Sequence, residues 1–388
     1  MFACVDCTNP HPLRNGDKMK YVNLHDICKP KQWKTISISE LTKDGFPVYG
    51  ANGKIGFYNE YTHEHPTLMI TCRGATCGNL HISEPFSYIN GNAMALDELG
   101  ENVVLKYLYF YLQKRGFDDV ITGSAQPQIT GQGLKKVQIP LPSLSTQTQI
   151  AKILDKSTAL IAKRKAQIAE LDVLVQSVFL EMFGDPITNP KGWEIGKIKD
   201  VILKSQYGTS NKASETEGEY PILRMNNITY QGEMDYSNLK YIDLDEKDKE
   251  KHLVHKGELL FNRTNSKELV GKTGLYNLDK PMAFAGYLIK IIPNKEKINS
   301  QFLLAYMNSK YIKAILFNMA KNIIGMANIN AKEMENISLY IPELNLQTQF
   351  AQIVEKIQTQ KSQLQQSLVE LEMQHQALMQ RAFRGELV

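Results

Sequence analysis

One stretch of the sequence approximates a loop that binds nucleotide phosphates. Ser266-Lys-Glu-Leu-Val-Gly-Lys-Thr273 ends in the Gly-Lys-Thr run of such loops, but Ser266 stands where the first glycine is required. A phosphate-binding loop must also open a helix, whereas the residues from Leu275 to Pro281 have the pattern of a turn and a strand. The sequence therefore argues against nucleotide binding, and an NTPase that uses Lys272 and Thr273 is kept as an alternative hypothesis.

A second stretch contains residues that could bind a metal ion. Cys4 and Cys7 form a C-x-x-C pair, with His11 and Cys28 nearby, and such groups can bind zinc. The sequence has no second C-x-x-C pair to complete the site, so we predict no metal site. Residues 1–18 have the composition of a polar leader, and Met19 could be the functional start.

The common signatures of catalytic sites are also missing. The sequence contains no G-x-S-x-G, no H-E-x-x-H and no G-x-G-x-x-G that opens a βαβ unit. It also lacks the Asp/Asn/Ser-Pro-Pro-aromatic tetrapeptide of amino-methyltransferases. His63 and His65, which flank Glu64, are most simply surface residues. Together these absences favour a binding protein without catalytic residues.

Side chains suited to DNA binding are concentrated in loops. Arginine, lysine, asparagine, glutamine and aromatic residues contact phosphates and base edges. In the first half of the chain the candidates are Tyr49, Asn52, Lys54, Arg73, Thr76, Asn79, Gln126 and Gln128. In the second half they are Arg224, Asn226, Asn227, Arg263, Asn265, Lys267, Lys272, Asn328 and Asn330. Arg73 and Arg263 are preferred, because each follows an apolar run that predicts a strand and hence a rigid base.

An internal repeat organises the chain. Residues 137–185 align without a gap with residues 337–385, at an offset of 200 residues. Each copy carries apolar residues at alternating steps of four and three, which is the roughly 3.5-residue period of a coiled coil. The repeat therefore predicts two long helices that pair with each other.

The predicted pairing positions follow that period in both helices. In the first helix they are Ile150, Leu154, Ile161, Ile168, Leu171, Val175 and Val178. In the second helix they are Phe350, Val354, Ile357, Leu364, Leu368, Leu371 and Leu378. The positions that interrupt the series are Ser157, Arg164, Lys361 and His375. Thr146 with Gln149 predicts a capping box at the first helix, and Asn345 predicts an N-cap at the second.

The helices divide the chain into a regular order of segments. These are a leader at 1–18, a globular segment at 19–138, a central helical spacer at 139–186, a second globular segment at 187–338 and a C-terminal helical spacer at 339–388. Each globular segment combines short strand patterns with one helical stretch, near 101–114 in the first and near 300–317 in the second. We therefore expect two α/β domains.

Composition limits the class of protein. Hydrophobic residues make up 43% of the chain and charged residues 22%, which is typical of folded domains. A net charge of +4 permits nucleic-acid binding but predicts that the chain alone binds DNA weakly. An odd number of cysteines and the lack of a long apolar run predict a soluble protein of the reducing cytoplasm.

The order of segments and the motifs within it resemble the specificity subunit of type I restriction–modification enzymes. The motifs that carry the resemblance are Pro142-Ser-Leu-Ser-Thr-Gln-Thr-Gln-Ile150, Pro342-Glu-Leu-Asn-Leu-Gln-Thr-Gln-Phe350, Val48-Tyr-Gly-Ala-Asn-Gly-Lys-Ile-Gly-Phe-Tyr58, Leu259-Leu-Phe-Asn-Arg-Thr-Asn265, Phe183-Gly-Asp185 and Arg381-Ala-Phe-Arg-Gly-Glu386. The resemblance covers everything except residues 1–18.

The resemblance implies an α+β fold. Two globular α/β target-recognition domains would be separated by two long helices that form an antiparallel coiled coil with pseudo-twofold symmetry. Each domain would read one half of a bipartite site on double-stranded DNA, and the helices would set the spacing. Two methyltransferase subunits would bring S-adenosylmethionine, and restriction subunits would add steps that require ATP and Mg. The chain itself would bind no cofactor.

Two alternatives remain beside the NTPase. The first is a related binding module, the specificity subunit of a non-type-I enzyme whose partner fuses methylation and cleavage, and it is ranked below the type I interpretation. The chain could also be a coiled-coil scaffold without a function on DNA.

Overall fold

The structure, a computed structural model, describes residues 20–323 and 326–387, with the backbone alone at residues 321–323. The chain divides into two compact units. The first unit is Met1–Lys165 with Gln366–Val388, and the second unit is Ala166–Gln365. The division passes through both long helices, so each unit combines one globular part with a portion of each helix. The leader predicted at 1–18 lies outside the described residues.

The elements of the first unit alternate short strands with short helices. Its strands are β1 (Tyr21–Asn23), β2 (Lys29–Gln32), β3 (Phe46–Gly50), β4 (Gly53–Tyr58), β5 (Leu68–Thr71), β6 (Leu80–Ile82), β7 (Tyr88–Ile89), β8 (Ala93–Asp97) and β9 (Gln138–Pro140). Its helices are α1 (Leu24–Ile27), α2 (Leu105–Arg115) and α3 (Gly131–Leu134), followed by α4 (Leu144–Phe183), which continues into the second unit.

The second unit contains more elements of the same kinds. Its strands are β10 (Glu194–Lys197), β11 (Ile202–Tyr207), β12 (Tyr220–Leu223), β13 (Lys240–Ile242), β14 (Leu253–Val254), β15 (Leu259–Asn262), β16 (Thr264–Asn265), β17 (Thr273–Leu275), β18 (Met282–Phe284), β19 (Leu288–Pro293), β20 (Lys321–Ile323), β21 (Met326–Asn328) and β22 (Ser338–Ile341). Its helices are α5 (Ile198–Val201), α6 (Glu246–His252), α7 (Ser300–Met307), α8 (Lys310–Met319) and α9 (Ala331–Glu335), followed by α10 (Leu344–Phe383), which continues into the first unit.

Both globular parts follow one sheet plan. The main antiparallel sheet has the order β2-β8-β5-β6 in the first unit and β11-β19-β15-β17 in the second. A second sheet, β4-β3-β7 or β13-β12-β18-β14, contains one parallel pair, β3 with β7 or β12 with β18. The first and last strands of each globular part pair as β1 with β9 and as β10 with β22. Two sequences that differ widely therefore share this plan, to which the second unit adds a three-stranded sheet, β16-β21-β20.

The central strands of the main sheets are apolar on both faces. In β5, Leu68 and Ile70 pack into a core with α2, while Met69 packs on the opposite face against Tyr49. In β15, Leu259 and Leu260 likewise face different cores. A continuous apolar run of this kind is expected for a strand covered on both sides, which explains why strand alternation is absent from these segments.

The two long helices pair in antiparallel fashion within each unit. In the first unit Leu154, near the start of α4, packs with Met379 and Phe383 at the end of α10. In the second unit Phe183, at the end of α4, lies 5.4 Å from Phe350, near the start of α10, between ring centroids. The predicted coiled coil is thus confirmed. No helix in the described part of the chain is long and apolar enough to cross a membrane.

Burial along the helices follows the predicted period. The pairing positions Ile150, Leu154, Phe350, Val354 and Ile357 are buried. The remaining pairing positions are half-buried and alternate with exposed residues; they are Ile161, Ile168, Leu171, Val175, Val178, Leu364, Leu368, Leu371 and Leu378. This pattern is the one that a seam between two helices produces.

Some predicted helix ends are wrong. The first long helix begins before Thr146, whose backbone N–H donates to Ser143 Oγ at 3.3 Å, so Ser143 is the capping residue. Asn345 lies inside the first turn of α10. The single helix expected near 300–317 is two helices, because Asn308 ends α7 and Ser309 caps α8 by accepting from Ile312 N.

Candidate nucleic-acid interface

Three loops of the first unit meet at one end of its main sheet. The loop after β5 carries Arg73, Thr76 and Asn79, and Thr76 Oγ1 donates to Asn52 Oδ1 at 2.9 Å. This bond joins the loop to the turn between β3 and β4. Arg73 also pairs with Gln128 through an isolated antiparallel bridge, which adds the loop that precedes α3. We call this surface the first-unit edge.

The first-unit edge is exposed and chemically suited to base recognition. Its exposed members are Asn52, Arg73, Asn79, Gln126 and Gln128. Among the described residues, no hydrogen bond or ion pair engages the side chain of Arg73. A free guanidinium can donate a pair of hydrogen bonds to a guanine edge or to a phosphate, and amides can do the same at adenine.

Two other candidates of the first unit meet elsewhere, at Glu84. Tyr49 is buried, its hydroxyl accepts from Glu84 N at 3.2 Å, and burial raises the pKa of Tyr49. Lys54 Nζ lies 3.3 Å from Glu84 Oε1 in a partly exposed ion pair. Both side chains are therefore occupied, and we leave them out of the interface proposed below.

In the second unit, Arg263 is held against an aromatic ring. Its guanidinium carbon lies 5.0 Å from the centroid of Tyr207. Tyr207 is fixed in turn, because its hydroxyl accepts from Ala331 N at 2.9 Å. Stacking on a ring restricts the plane of a guanidinium group, so Arg263 is more rigidly placed than Arg73.

The two preferred arginines do not occupy equivalent positions. Ile129 and Ile329 match in the repeat; Ile129 N donates to Cys72 O at 3.0 Å, and Ile329 N donates to Arg263 O at 2.9 Å. Arg263 therefore corresponds to Cys72 rather than to Arg73. The arginine of the second unit therefore stands one position earlier in the shared fold than the arginine of the first unit.

Three polar residues flank Arg263 in the second unit. Strand β16 pairs with β21, so Thr264 faces Asn328 and Asn265 faces Ala327. Asn328 Oδ1 accepts from Thr264 Oγ1 at 3.3 Å, and Asn265 Oδ1 accepts from Ser266 N at 2.9 Å. The amide nitrogens of both asparagines stay available for other acceptors. Arg263, Asn265 and Asn328 form what we call the second-unit edge.

Lys267 and Asn330 adjoin this edge in the chain, and a third candidate, Asn226, lies in the turn Met225–Asn227 after β12. Lys267 Nζ lies 4.4 Å from the ring centroid of Phe317. Asn330 caps α9 by accepting from Glu333 N at 2.9 Å, which occupies its carbonyl oxygen. Asn226 is exposed.

The remaining candidates have structural roles. Asn227 is buried and its Nδ2 donates to the Asn238 carbonyl at 3.1 Å, as does one guanidinium nitrogen of Arg224. Lys272 is 7% exposed and its Nζ donates to Ile228 O at 2.6 Å. Burial lowers the pKa of Lys272. These side chains hold their loops together, so we leave them out of the proposed interface.

The same contacts argue against the nucleotide-binding alternative. The ammonium group of Lys272 is already bound to backbone carbonyls. Thr273 begins strand β17 instead of a helix, as the sequence pattern predicts. A phosphate-binding loop requires both a free lysine and a helix N-terminus.

A pair of glutamines missed as functional candidates connects the helices to the globular parts. Gln147 is 0% exposed; its Oε1 accepts from Val104 N at 2.8 Å and its Nε2 donates to Asn102 O at 2.9 Å. Gln347, also 0% exposed, accepts in the same way from Asn299 N at 2.8 Å. We call these contacts the glutamine latches.

Each glutamine latch binds the residue that precedes a helix of the globular part, α2 in the first unit and α7 in the second. Gln147 and Gln347 also donate to the carbonyls of Pro142 and Pro342, at 2.9 and 2.7 Å. The repeat could have identified these glutamines, since both stand at the same place in it. Their burial could not be predicted from the sequence, because glutamine is usually exposed.

One prediction for a histidine is wrong. His63 is not a surface residue, since its Nε2 lies 2.9 Å from Asp97 Oδ1 and its ring packs on Trp33. Trp33 Nε1 donates to the other oxygen of Asp97 at 3.0 Å. His65 is exposed, as expected.

The part of the chain that the structure describes includes Cys28 but not the C-x-x-C pair. There, no group of three or more His, Cys, Asp or Glu side chains is placed to hold a metal ion. Cys4, Cys7 and His11 lie outside that part.

Comparison with known proteins identifies relatives along most of the chain. The chain is 23% identical to the type I restriction enzyme MjaVIII specificity subunit of Methanocaldococcus jannaschii, with 89% of this chain and 88% of that one covered. It is 25% identical to the StySPI specificity subunit of Salmonella potsdam, with 83% and 71% covered. Its matches to the MjaX and EcoKI specificity subunits span only 39% and 58% of those proteins, which is less than two thirds of each.

Solved structures show the same fold. The S subunit of a type I restriction-modification system from M. genitalium superposes with a TM-score of 0.61 at 15% identity, over 96% of this chain and 98% of that one. A chain from a structure of type I R-M complex assembly and conformational transition gives a TM-score of 0.58 at 16% identity, over 97% and 100%.

The family model described as type I restriction modification DNA specificity domain matches residues 16–172 and 190–373. These two matches take in both globular parts and most of both long helices. The chain therefore belongs to the type I restriction modification DNA specificity family.

Proposed function

We propose that this chain reads DNA sequence for a type I restriction–modification enzyme, and that each unit reads one half of a bipartite site on double-stranded DNA. The observation that carries the proposal is the convergence of three loops at the first-unit edge, where Asn52, Arg73 and Gln128 are exposed together. Amide and guanidinium groups on a rigid sheet end can form the paired hydrogen bonds that distinguish base edges.

The second-unit edge offers different chemistry at the corresponding place. It presents Arg263 on Tyr207, with Asn265 and Asn328 beside it. Because the side chains at the two edges differ, we expect the two half-sites to differ in sequence. Phosphate contacts supply affinity, and base contacts supply the choice of sequence.

The catalytic steps belong to partner subunits in this proposal. Two methyltransferase subunits bind the long helices and the globular parts, and they supply S-adenosylmethionine for adenine methylation. Restriction subunits add ATP- and Mg-dependent translocation and cleavage. This chain contributes recognition in the cytoplasm and binds neither a cofactor nor a membrane. The names of its relatives as specificity subunits support this division.

The test is a genome-wide map of adenine methylation by long-read sequencing. One culture expresses this chain with the methyltransferase subunit encoded beside it, and a second culture expresses that methyltransferase subunit alone. We expect a new motif, two short halves around a fixed spacer, in the first culture only. A co-purifying complex without any new motif would contradict the proposal and favour a scaffold function.

The neighbouring gene separates the two kinds of enzyme. Separate genes for methylation and restriction fit a type I system, whereas one gene that fuses both activities fits the non-type-I alternative. In both cases this chain reads the sequence, so the methylation map tests recognition independently of the enzyme class.

A further inference from the structure

A buried lysine interrupts the apolar seam of the helix pair in the second unit. Lys361 of α10 is 4% exposed. Its Nζ lies 2.5 Å from Asp172 Oδ1 on α4 and 2.6 Å from Glu233 Oε1. Glu233 belongs to the globular part, so one ammonium group joins both helices to the domain that they carry. We call this contact the lysine junction.

Glu233 sits in a turn that is itself braced. An antiparallel bridge joins Ile228 to Met234 on either side of the turn, and Thr229 N donates to Glu233 O at 2.9 Å. Lys272 Nζ donates to Ile228 O at 2.6 Å. Gly271 N donates to Asn262 O at 2.8 Å, and Asn262 is the residue before Arg263. A short series of contacts therefore connects the lysine junction to the second-unit edge.

The charges of the lysine junction are arranged to stay ionised. Burial alone would lower the pKa of Lys361, but hydrogen bonds with Asp172 and Glu233 outweigh it and raise the pKa above its usual value. The two carboxylates keep 35% and 38% of their side-chain surface exposed, so the cost of removing charge from water falls mainly on the lysine. Replacing a buried ion pair by well-packed apolar residues is often neutral for stability, and in some proteins such a pair instead specifies geometry.

The corresponding place in the first unit is built differently. The residue 200 positions earlier is Ile161, an apolar pairing residue. The nearby ion pair of that unit, Lys165 with Glu372 at 2.8 Å, joins helix to helix through side chains that are 56% and 45% exposed. A polar residue at a seam position fixes the register of paired helices, and here the same residue also holds the globular part.

We propose that the lysine junction positions the second recognition domain on the helices and so enforces the length of the spacer between the half-sites. This inference rests on the function proposed above. Lys361 acts as a positioning residue, because it orients the edge that touches DNA without touching DNA itself. Loss of the junction leaves base reading intact but lets the domain adopt more than one placement.

The test replaces Lys361 by an apolar residue of similar length and maps methylation. For Lys361→Met, co-expressed with the methyltransferase subunit, we expect both half-site sequences to be unchanged. We also expect methylation at sites whose spacer is one base pair shorter or longer to rise by about tenfold over wild type, which corresponds to a loss of about 1.4 kcal/mol of discrimination. Lys165→Met removes the exposed pair of the first unit and is the matched control, which should keep a single spacer.

Glu233→Gln provides a second variant if Lys361→Met does not fold. It keeps the lysine and one carboxylate, and we expect partial relaxation of the spacer. The double variant Lys361→Met with Glu233→Gln should relax the spacer no more than Lys361→Met alone, since both changes break one network. A single spacer in both Lys361→Met and Glu233→Gln would overturn the inference, whatever happens to their stability. Absence of any motif for the wild-type chain would instead overturn the proposed function.

Discussion

Arg73 is the one positively charged side chain among the exposed residues that define the first-unit edge. It is exposed, and its backbone is fixed by the bridge to Gln128. If Arg73 reads a base as proposed, Arg73→Ala deletes a pair of hydrogen bonds to that base, which is worth about 1–3 kcal/mol of discrimination. We therefore expect the methylation map to show a degenerate position in one half-site, with the other half-site unchanged.

The control for Arg73→Ala is Lys43→Ala. Lys43 is also exposed, but it precedes β3, at the opposite end of that strand from Asn52. We expect the motif of Lys43→Ala to match the wild type. If Arg73→Ala keeps full specificity at every position, Arg73 does not read a base, and the first-unit edge is assigned wrongly.

We expect Gln147 to stabilise the folded state. In Gln147→Leu the Val104 N–H and the Asn102 carbonyl lose their buried partner, which costs about 2–4 kcal/mol. The midpoint of urea unfolding should fall accordingly. Thr148→Ala changes an exposed neighbour, and we expect its effect to stay within about 0.5 kcal/mol. Equal midpoints for both variants would show that the glutamine latch carries no stability.

Sequence patterns could predict which residues are polar and near a strand end, but not which of them are buried. Arg73 and Lys272 are both basic residues in loop-like stretches, yet only Arg73 is free. The difference arises because Lys272 reaches the carbonyl of Ile228, 44 residues away. A contact of that sequence separation leaves no local pattern, so the candidate site could be predicted only in part.

At the scale of elements, the repeat predicted the long helices because their period depends on one partner along their whole length. Their starts were less predictable. Ser143 and Thr146 are both suitable capping residues, and local sequence cannot choose between them. The choice of Ser143 places Gln147 inside the first turn, where its side chain reaches Val104.

The helix pair of the first unit contains a titratable contact. His375 Nδ1 lies 3.1 Å from Ser157 Oγ, and burial lowers the pKa of His375 below its ordinary value of 6.5. The folded state therefore binds a proton less readily than the unfolded state. Its contribution to stability is present above pH 6.5 and is lost as the pH falls through the folded pKa.

We expect the melting temperature of the wild-type chain to fall on acidification from about pH 7.5 to about pH 5.5. The variant His375→Asn has no group at this position that titrates in this range, so its melting temperature should fall less. The comparison must be made between the two proteins at each pH, because burial also lowers the pKa of His252. An equal decrease of the melting temperature in both proteins would show that His375 does not contribute to the pH dependence.

At the scale of the molecule, the number of globular parts was predictable from the spacing of the helices. Their common sheet plan was not, because equivalent strands such as β5 and β15 share only apolar character. The division into compact units could not be predicted from local sequence patterns either. Each unit draws on both long helices, and antiparallel pairing joins residues about 200 positions apart, as between Ser157 and His375.

If the units read independently, an exchange of one globular part should change one half-site. We expect a chimera in which residues 187–338 come from another specificity subunit, with α4 and α10 retained, to keep one half-site of the wild-type motif. The other half-site should become that of the donor, because the second-unit edge is replaced as a whole. The methylation map reports both halves in one experiment.

The reciprocal exchange of residues 20–138 is the control, and it should replace the half-site that the first chimera keeps. The donor of residues 187–338 should carry a carboxylate at the place of Glu233, so that the lysine junction with Lys361 is preserved and the spacer stays fixed. A change in both halves would show that reading is not divided between the units. A motif that changes in neither chimera would show that the globular parts do not choose the sequence, and recognition would then have to lie in the partner subunits.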